Sequence, residues 1–231
     1  MIVGLVGFIG AGKGTVADLL VERHDFFKES FANSVKDSCA AVFGWNRAML
    51  EGDTPESRAW REQSDEWWSK KFGREFSPRL ALQLMGTEAG RDVFHPDLWV
   101  HTVMRRCDQA PWNNYVIADV RFPNEIKAIV DSGGKVIRVK RGPDPEWYGC
   151  AYKQNTTPED EQWILEDHNQ LMEQNYPDVH YSEWAWIGSH YDIVMDNNCS
   201  LDELTVRVDK IVDSLYNNRV EANEVVNYET F

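Results

Sequence analysis

Near the start of the chain, Gly7-Phe-Ile-Gly10-Ala-Gly12-Lys13-Gly14-Thr15 sets three glycines, a lysine and a threonine hydroxyl within nine residues. That spacing suits the binding of an anion. Glycines allow consecutive backbone N–H groups to face one phosphate, and the lysine supplies a full positive charge. The pattern fits G-x-x-x-x-G-K, except that Gly14 stands where a hydroxyl residue is usual and the hydroxyl follows one place later, at Thr15. A second set of chemically useful residues is Asp119-Val-Arg121, in which a carboxylate and a guanidinium fork flank one apolar residue.

The elements that must position these groups are legible around them. Ile2–Val6 is a short, β-branched apolar run and is predicted to be a buried strand. After the glycine loop, Lys13 to His24 has the spacing of an amphipathic helix, whose N-terminus would add partial positive charge at the anion site. Asn114–Ala118 reads as another buried strand, with Asp119 and Arg121 at its C-terminal end, where open α/β sheets bind ligands. A helix over 124–131, the turn Ser132-Gly-Gly134 and a strand at 135–140 complete a βαβ unit. The expected fold is therefore a mainly parallel sheet covered by helices on both faces.

Composition narrows the choice of ligand. The 231 residues carry a net charge of −14, which argues against a duplex-wrapping protein and for a small phosphorylated ligand met by a few convergent cations. A local basic cleft inside an acidic shell stays compatible with that balance. There is no apolar run of the roughly 18 residues needed to cross a membrane, and the N-terminus leads straight into the loop, so a soluble intracellular protein is expected. Four scattered cysteines without C-x-x-C point to reduced thiols rather than disulfides or zinc.

Elsewhere the residues leave alternatives open. Residues 26–31 are predicted to be a strand and the helix from Asn33 or Ser34 to have Val35, Cys39, Ala40, Val42 and Phe43 on its apolar face. Lys36, in its first turn, either meets a phosphate or is simply solvated. In the irregular segment 44–78, Arg58, Trp60, Arg61, Trp67, Trp68, Lys70 and Lys71 either stack a base and neutralise a phosphate or pack a helix on the core. Ser77-Pro78 starts a helix that a polar break at 86–92 should end, and another helix opens at His95-Pro-Asp97. Residues 141–189, with acidic runs at 159–161 and 166–167, read as a weakly structured lid or insertion. His180 and Glu183 follow as residues that are either structural or part of a site. A strand at 191–195, a turn at 196–198, a helix at 200–216 with Leu201 and Leu204 on its apolar side, and a fraying tail at 217–231 end the chain.

These segments, in this order, resemble the deoxynucleoside monophosphate kinases of T-even-like bacteriophages, within the P-loop nucleoside monophosphate kinases. The resemblance is carried by the Lys13-Gly14-Thr15 loop, Lys28-Glu-Ser-Phe-Ala32 with Lys36-Asp37, Arg79 with Gln83 to Glu88, and Phe94 to Val100. Asp119-Val-Arg121 with Glu125, His180-x-Ser182-Glu183 and Asp192 to Leu204 continue it. It implies a three-layer α/β/α fold with a five-stranded, mainly parallel sheet. The core would be 1–44, 77–141 and 190–216, with a substrate-binding insertion at about 45–76 and a lid at about 142–189. It also implies transfer of the ATP γ-phosphoryl to deoxynucleoside 5′-monophosphates, supplying precursors for phage DNA synthesis in the host cytoplasm.

On that resemblance Gly10, Ala11, Gly12, Lys13, Gly14 and Thr15 would hold the ATP phosphates, with Arg141, Arg138 and Lys153 closing over ATP. Thr15 and Asp119 would serve Mg²⁺. Lys13, Arg79, Asp119 and Arg121 would be the catalytic group, and Lys36, Arg79 and Arg121 would bind the acceptor phosphate. Gln83, Glu88, Trp99, Glu125, His180 and Glu183 complete the acceptor side. Base selectivity cannot be carried over, because 45–75 is where such enzymes vary. Three other readings stay open: a P-loop kinase acting on hydroxymethylated pyrimidine in DNA, one acting on another small molecule, and a nucleotide-binding switch with no second substrate. No stable nucleic-acid or membrane partner is expected. The helical stretch 77–108 is apolar enough for a homodimer, although a core face would look the same.

Overall fold

The computed structural model describes residues 1–157 and 171–227. It resolves into two compact units, Met1–Lys28 with Trp112–Phe231, and Glu29–Pro111.

The first unit is built on five strands, β1 (Ile2–Val6), β2 (Phe26–Glu29), β3 (Asn114–Ile117), β4 (Lys135–Lys140) and β5 (Ile193–Asp196), in the order β2-β3-β1-β4-β5. β1 pairs in parallel with β3 and β4, and β4 pairs in parallel with β5. Strand periodicity divides the side chains between two faces. Val3, Leu5, Val116, Ile137 and Val139 pack with Val16, Ala17 and Leu20 of α1 (Lys13–His24) and with Leu204, Val208, Val212 and Leu215 of α11 (Leu201–Asn227). The intervening residue Gly4 faces the other way, toward Ile129 of α7 (Pro123–Asp131). The absence of a Cβ at Gly4 lets α7 lie close to the central strand. β5 is aligned by Asp192, whose carboxylate accepts from the Val136 N–H at 2.9 Å and from Lys135 at 2.7 Å. These contacts hold the Asp192 carboxyl below its ordinary pKa despite partial burial.

Several expectations are corrected. The segment expected to be weakly structured contains α8 (Tyr148–Thr156), α9 (Leu171–Asn175) and α10 (Tyr181–Trp184). It also supplies buried Ala151, Met172, Trp184, Trp186 and Ile187. The acidic runs at 159–161 and 166–167 lie outside the described residues. α11 continues to Asn227 instead of fraying at 217, and Leu201, assigned to its apolar side, is 60% exposed. The first turn of α11 projects Leu201 beyond the edge of the sheet-facing stripe that begins at Leu204.

The second unit, Glu29–Pro111, has its own small core. In α2 (Asn33–Phe43) Val35 and Cys39 are buried, whereas Val42 is 57% exposed and not part of the apolar face. α3 (Pro55–Glu62), α4 (Glu66–Phe72) and α5 (Pro78–Leu84) surround Cys39, Leu50, Phe76 and Ala81. Trp45, Trp60 and Trp68 pack against that cluster; the Trp45 indole N–H donates to Asp65 and that of Trp68 to the Phe43 carbonyl. Of the two readings of this tryptophan-rich segment, the packing one holds for these three rings. Trp67 is 57% exposed, with its ring centre 4.5 Å from that of Trp68 and the Lys71 ammonium 5.3 Å away.

The expected break at 86–92 is instead a π-helical continuation, Met85–Phe94. Trp99 of α6 (Leu98–Gln109) packs beside it. The Trp99 indole lies against Gly90, where a Cβ would come within 2.5 Å of the ring, and its N–H donates to the Gly86 carbonyl at 2.8 Å. A ring inserted beside the helix draws the carbonyl outward and favours the wider turn. All four cysteines are free thiols, and burial pushes those of Cys39 and Cys107 up to about 11.

Ile137 is fully enclosed between β1, β5 and the α1/α11 layer. Ile137→Ala should lower unfolding free energy by about 2–5 kcal/mol in urea titration. A loss below about 1 kcal/mol would show that this face is not the core.

Candidate active site

Local chain geometry builds the loop between β1 and α1. Gly7 has φ 142°, and a Cβ there would sit 2.3 Å from the Val139 carbonyl oxygen of β4. Only glycine lets the chain leave β1 this close to its neighbour. Gly12, at φ 95°, is the N-cap of α1 and has no side chain to cap it. The first amides of α1 therefore lack the side-chain acceptor that Ser, Thr, Asp or Asn would supply, which suits an anionic ligand. Phe8 anchors the loop to the α8–α10 region, with ring centres 5.3 Å from Trp147 and 5.2 Å from Trp186.

Lys13 lies across the loop: Nζ donates to the Gly7 carbonyl at 2.6 Å and to that of Phe8 at 3.0 Å. Burial, followed by repulsion from Arg121, lowers its pKa to about 8, against the opposing pull of Glu183 and Asp119. The Asp119–Arg121 turn and Glu183 thus lie within electrostatic reach of the loop lysine. Arg121 itself is held on both sides. Its backbone N–H and that of Phe122 donate to Glu125 Oε2 at 2.7 and 3.0 Å, and Nη1 donates to Glu183 Oε1 at 3.1 Å and Ser182 Oγ at 3.3 Å. Glu125 is buried at the start of α7 and closes that helix's N-terminus. His180 is the N-cap of α10, with Nδ1 against Ser182. Thr15 is exposed and Asp119 half-buried. A hydroxyl and a carboxylate are hard oxygen donors, the type Mg²⁺ takes.

The remaining expected site residues fall in different settings. Arg138, expected to flank a lid over ATP, is instead almost fully buried on β4. It pairs with Asp144 at 2.5 Å and lies over the rings of Tyr148, Trp186 and Tyr191. An inward-facing strand position with an aromatic cage holds it there. Arg141 and Lys153 are exposed. In the second unit, Lys36 is 13% exposed and 2.6 Å from Glu51, which also binds Arg47. Arg79 is exposed and pairs with Glu62 at 3.2 Å, and Gln83 and Glu88 are exposed. Trp99 is buried and bonded to Gly86, so its ring supports the π-helix and does not line an open wall.

One residue of the site escaped the sequence. Asn197, read only as part of a turn, is 7% exposed and donates from Nδ2 to the Ala11 carbonyl at 2.8 Å. Nothing in a run of Asp-Asn-Asn distinguishes the asparagine that points inward.

No family model matches the chain. Among curated proteins, one from Acanthamoeba polyphaga mimivirus assigned as a deoxynucleotide monophosphate kinase is 32% identical over 155 residues. The match covers 61% of this chain and 74% of that one. The deoxynucleoside-5′-monophosphate kinase of Escherichia phage T5 is 45% identical over 49 residues, 21% of this chain and 20% of that protein. Among solved structures, shikimate kinase from Aquifex aeolicus (15% identity, TM-score 0.41) aligns over 95% of this chain and 99% of its own. Dephospho-CoA kinase from Campylobacter jejuni (13% identity, TM-score 0.42) aligns over 92% and 96%. Among the described residues, no helix is long and apolar enough to cross a membrane.

The Lys13 environment makes a pH prediction. Its pKa falls from the ordinary 10.5 to about 8 on folding. Between those values the unfolded chain holds a proton that the folded chain lacks, so this group's contribution to stability rises with pH across that window. Lys13→Met should remove that rise. Relative to the variant, the unmodified chain should gain on the order of 2–3 kcal/mol between pH 8 and 10.5 in urea unfolding. Parallel pH profiles for the two proteins would show that the amine is not desolvated.

Proposed function

The chain belongs to the deoxynucleotide monophosphate kinases, and on that premise we propose that the glycine loop and the Asp119–Arg121 turn are the donor and transfer halves of its active site. The enzyme uses ATP to convert deoxynucleoside 5′-monophosphates to diphosphates. The observation that carries the residue assignment is the position of Lys13. One ammonium spans the loop carbonyls while responding electrically to Arg121, Asp119 and Glu183.

Phosphoryl transfer needs alignment and charge neutralisation more than covalent help from the protein. The amides from Gly10 to Thr15 take the β- and γ-phosphate oxygens, and Lys13 exchanges its two carbonyl partners for them. That exchange is favourable because a triphosphate raises the affinity of a desolvated amine for its proton. Arg121 leaves Glu183 to bind the moving phosphoryl group and the acceptor phosphate with its planar fork. An acceptor phosphate oxygen forms the new bond to the γ-phosphorus as the bridging oxygen leaves with ADP. The acceptor oxygen is already ionised near neutral pH, so no general base is required. Thr15 and Asp119 would hold Mg²⁺, which when bound neutralises phosphate charge.

In the first unit, His180 and Glu183 beside Arg121 are our candidates for the acceptor side and Arg141 for a further ATP contact; in the second unit the candidates for acceptor recognition are Lys36, Arg79, Gln83 and Glu88. Glu125 and Trp99 act through the backbone they hold. The net charge of −14 favours a free nucleotide over a polynucleotide acceptor, and the host cytoplasm is the compartment that supplies both substrates.

The test is ATP consumption with each deoxynucleoside and nucleoside monophosphate in turn, and with DNA. Turnover with at least one free deoxynucleoside monophosphate is expected; transfer to DNA alone would overturn the acceptor. Lys13→Ala should lower kcat by about 10²–10³-fold in a folded protein, and full activity would remove the loop assignment. Arg121→Ala should reduce kcat and raise KM for the monophosphate. A change confined to KM for ATP would place Arg121 on the donor side.

A further inference from the structure

We propose that Asn197 is a positioning residue for the ATP-binding loop, acting through the Ala11 carbonyl and the Gly12 Cα; the inference rests on the loop assignment above. Four observations converge on it. Asn197 is a nearly buried polar residue at the end of β5, and its Nδ2 donates to the Ala11 carbonyl at 2.8 Å. Its backbone N–H donates to the Lys140 carbonyl at 2.7 Å, which fixes the base of the side chain to the end of β4. The same Nδ2 would lie 2.3 Å from a Cβ on Gly12, so the amide occupies the space a side chain at position 12 would need. Next to it, Asn198 Oδ1 accepts from the Gly142 N–H at 2.7 Å, tying the turn after β5 to the turn after β4.

The consequence is directional. An acceptor held at Ala11 sets the plane of the Ala11–Gly12 peptide, and with it the direction in which the Gly12 N–H points. If the Ala11 carbonyl is pinned inward, the Gly12 amide on the far side of that peptide plane points outward, toward where an anion would lie. The loop amides are then preorganised before the nucleotide arrives. Without the pin, the Ala11–Gly12 peptide can rotate, because Gly12 has no Cβ to resist it. Binding must then pay to order it. Asn197 acts through the backbone of the donor loop, so its loss should act on the donor nucleotide and not on the acceptor.

The experiment compares the full chain with Asn197→Ala and Asn197→Ser; serine keeps a hydroxyl that is too short to reach Ala11. Expected for both are a KM for ATP raised on the order of 10–100-fold and an unchanged KM for the monophosphate. The amide resonances of Gly12 and Lys13 should shift in the protein without nucleotide. A double-mutant cycle adds a second readout: Gly12→Ala should cost less in the Asn197→Ala background, because the collision with Nδ2 is gone. Unchanged KM for ATP in a folded variant would overturn the proposal. So would an equal loss toward both substrates that tracks the unfolded fraction, or additive effects in the cycle. If Asn197→Ala does not fold, Asn197→Ser decides by the same measurements; if neither folds, Asn197 is a folding residue and the proposal fails. Absence of ATP turnover in the unmodified chain would count against the active-site reading instead, so the two failures are distinguishable.

Discussion

The arrangement depends on one close approach. At Gly7 the chain leaves β1 so near β4 that a Cβ would overlap the Val139 carbonyl oxygen. That approach is possible only because β1 lies between β3 and β4 in a parallel sheet, with α1 and α11 stacked on one face and α7 on the other. After the tight exit the glycine loop leads into α1, which begins at Lys13. From there the lysine reaches back to the carbonyls of Gly7 and Phe8. Backbone strain that would be unfavourable for any other residue is absorbed by glycine.

Charge is arranged around that loop with opposing signs in balance. Lys13 and Arg121 repel each other, and Asp119 and Glu183 offset part of the repulsion. On the proposed function, two cations held close at some cost are useful, because an incoming polyphosphate relieves the repulsion. Glu125 and Ser182 keep the guanidinium and its backbone in place while leaving the fork able to exchange partners. The aromatic cage around Arg138 does the opposite. It commits a cation to Asp144 and three rings, and so takes it out of the chemistry.

Some of this was legible in residue order and some was not. The strand–glycine loop–helix succession, the βαβ unit and the strand-end location of Asp119 and Arg121 follow from local propensity and spacing. The errors share a cause: a residue's partner lay far along the chain. The Gly86–Asp92 stretch looks like a helix break because two glycines and several charges fall together, yet the Trp99 indole fills the space they leave and the helix continues. Arg138 looks like a lid cation until its neighbours on α8 and beyond β4 are known. Segment 141–189 looks irregular because prolines and charges mask helices whose apolar residues meet only on folding, as α8, α9 and α10 show among the described residues.

The sequence by itself pointed to phosphate-binding chemistry and left the acceptor open. Glycine spacing with Lys13 and Thr15 suits an anion, short apolar strands joined through a helix suit a covered parallel sheet, and the net charge disfavours a polynucleotide. These are properties of adjacent residues, set by backbone freedom and side-chain type. Tertiary structure alone decided which groups surround Lys13 and how far its proton affinity falls, because desolvation and Coulomb interactions depend on through-space distance. It alone singled out Asn197 from its neighbours Asp196 and Asn198, since burial against a loop 186 residues away is not encoded in any local pattern.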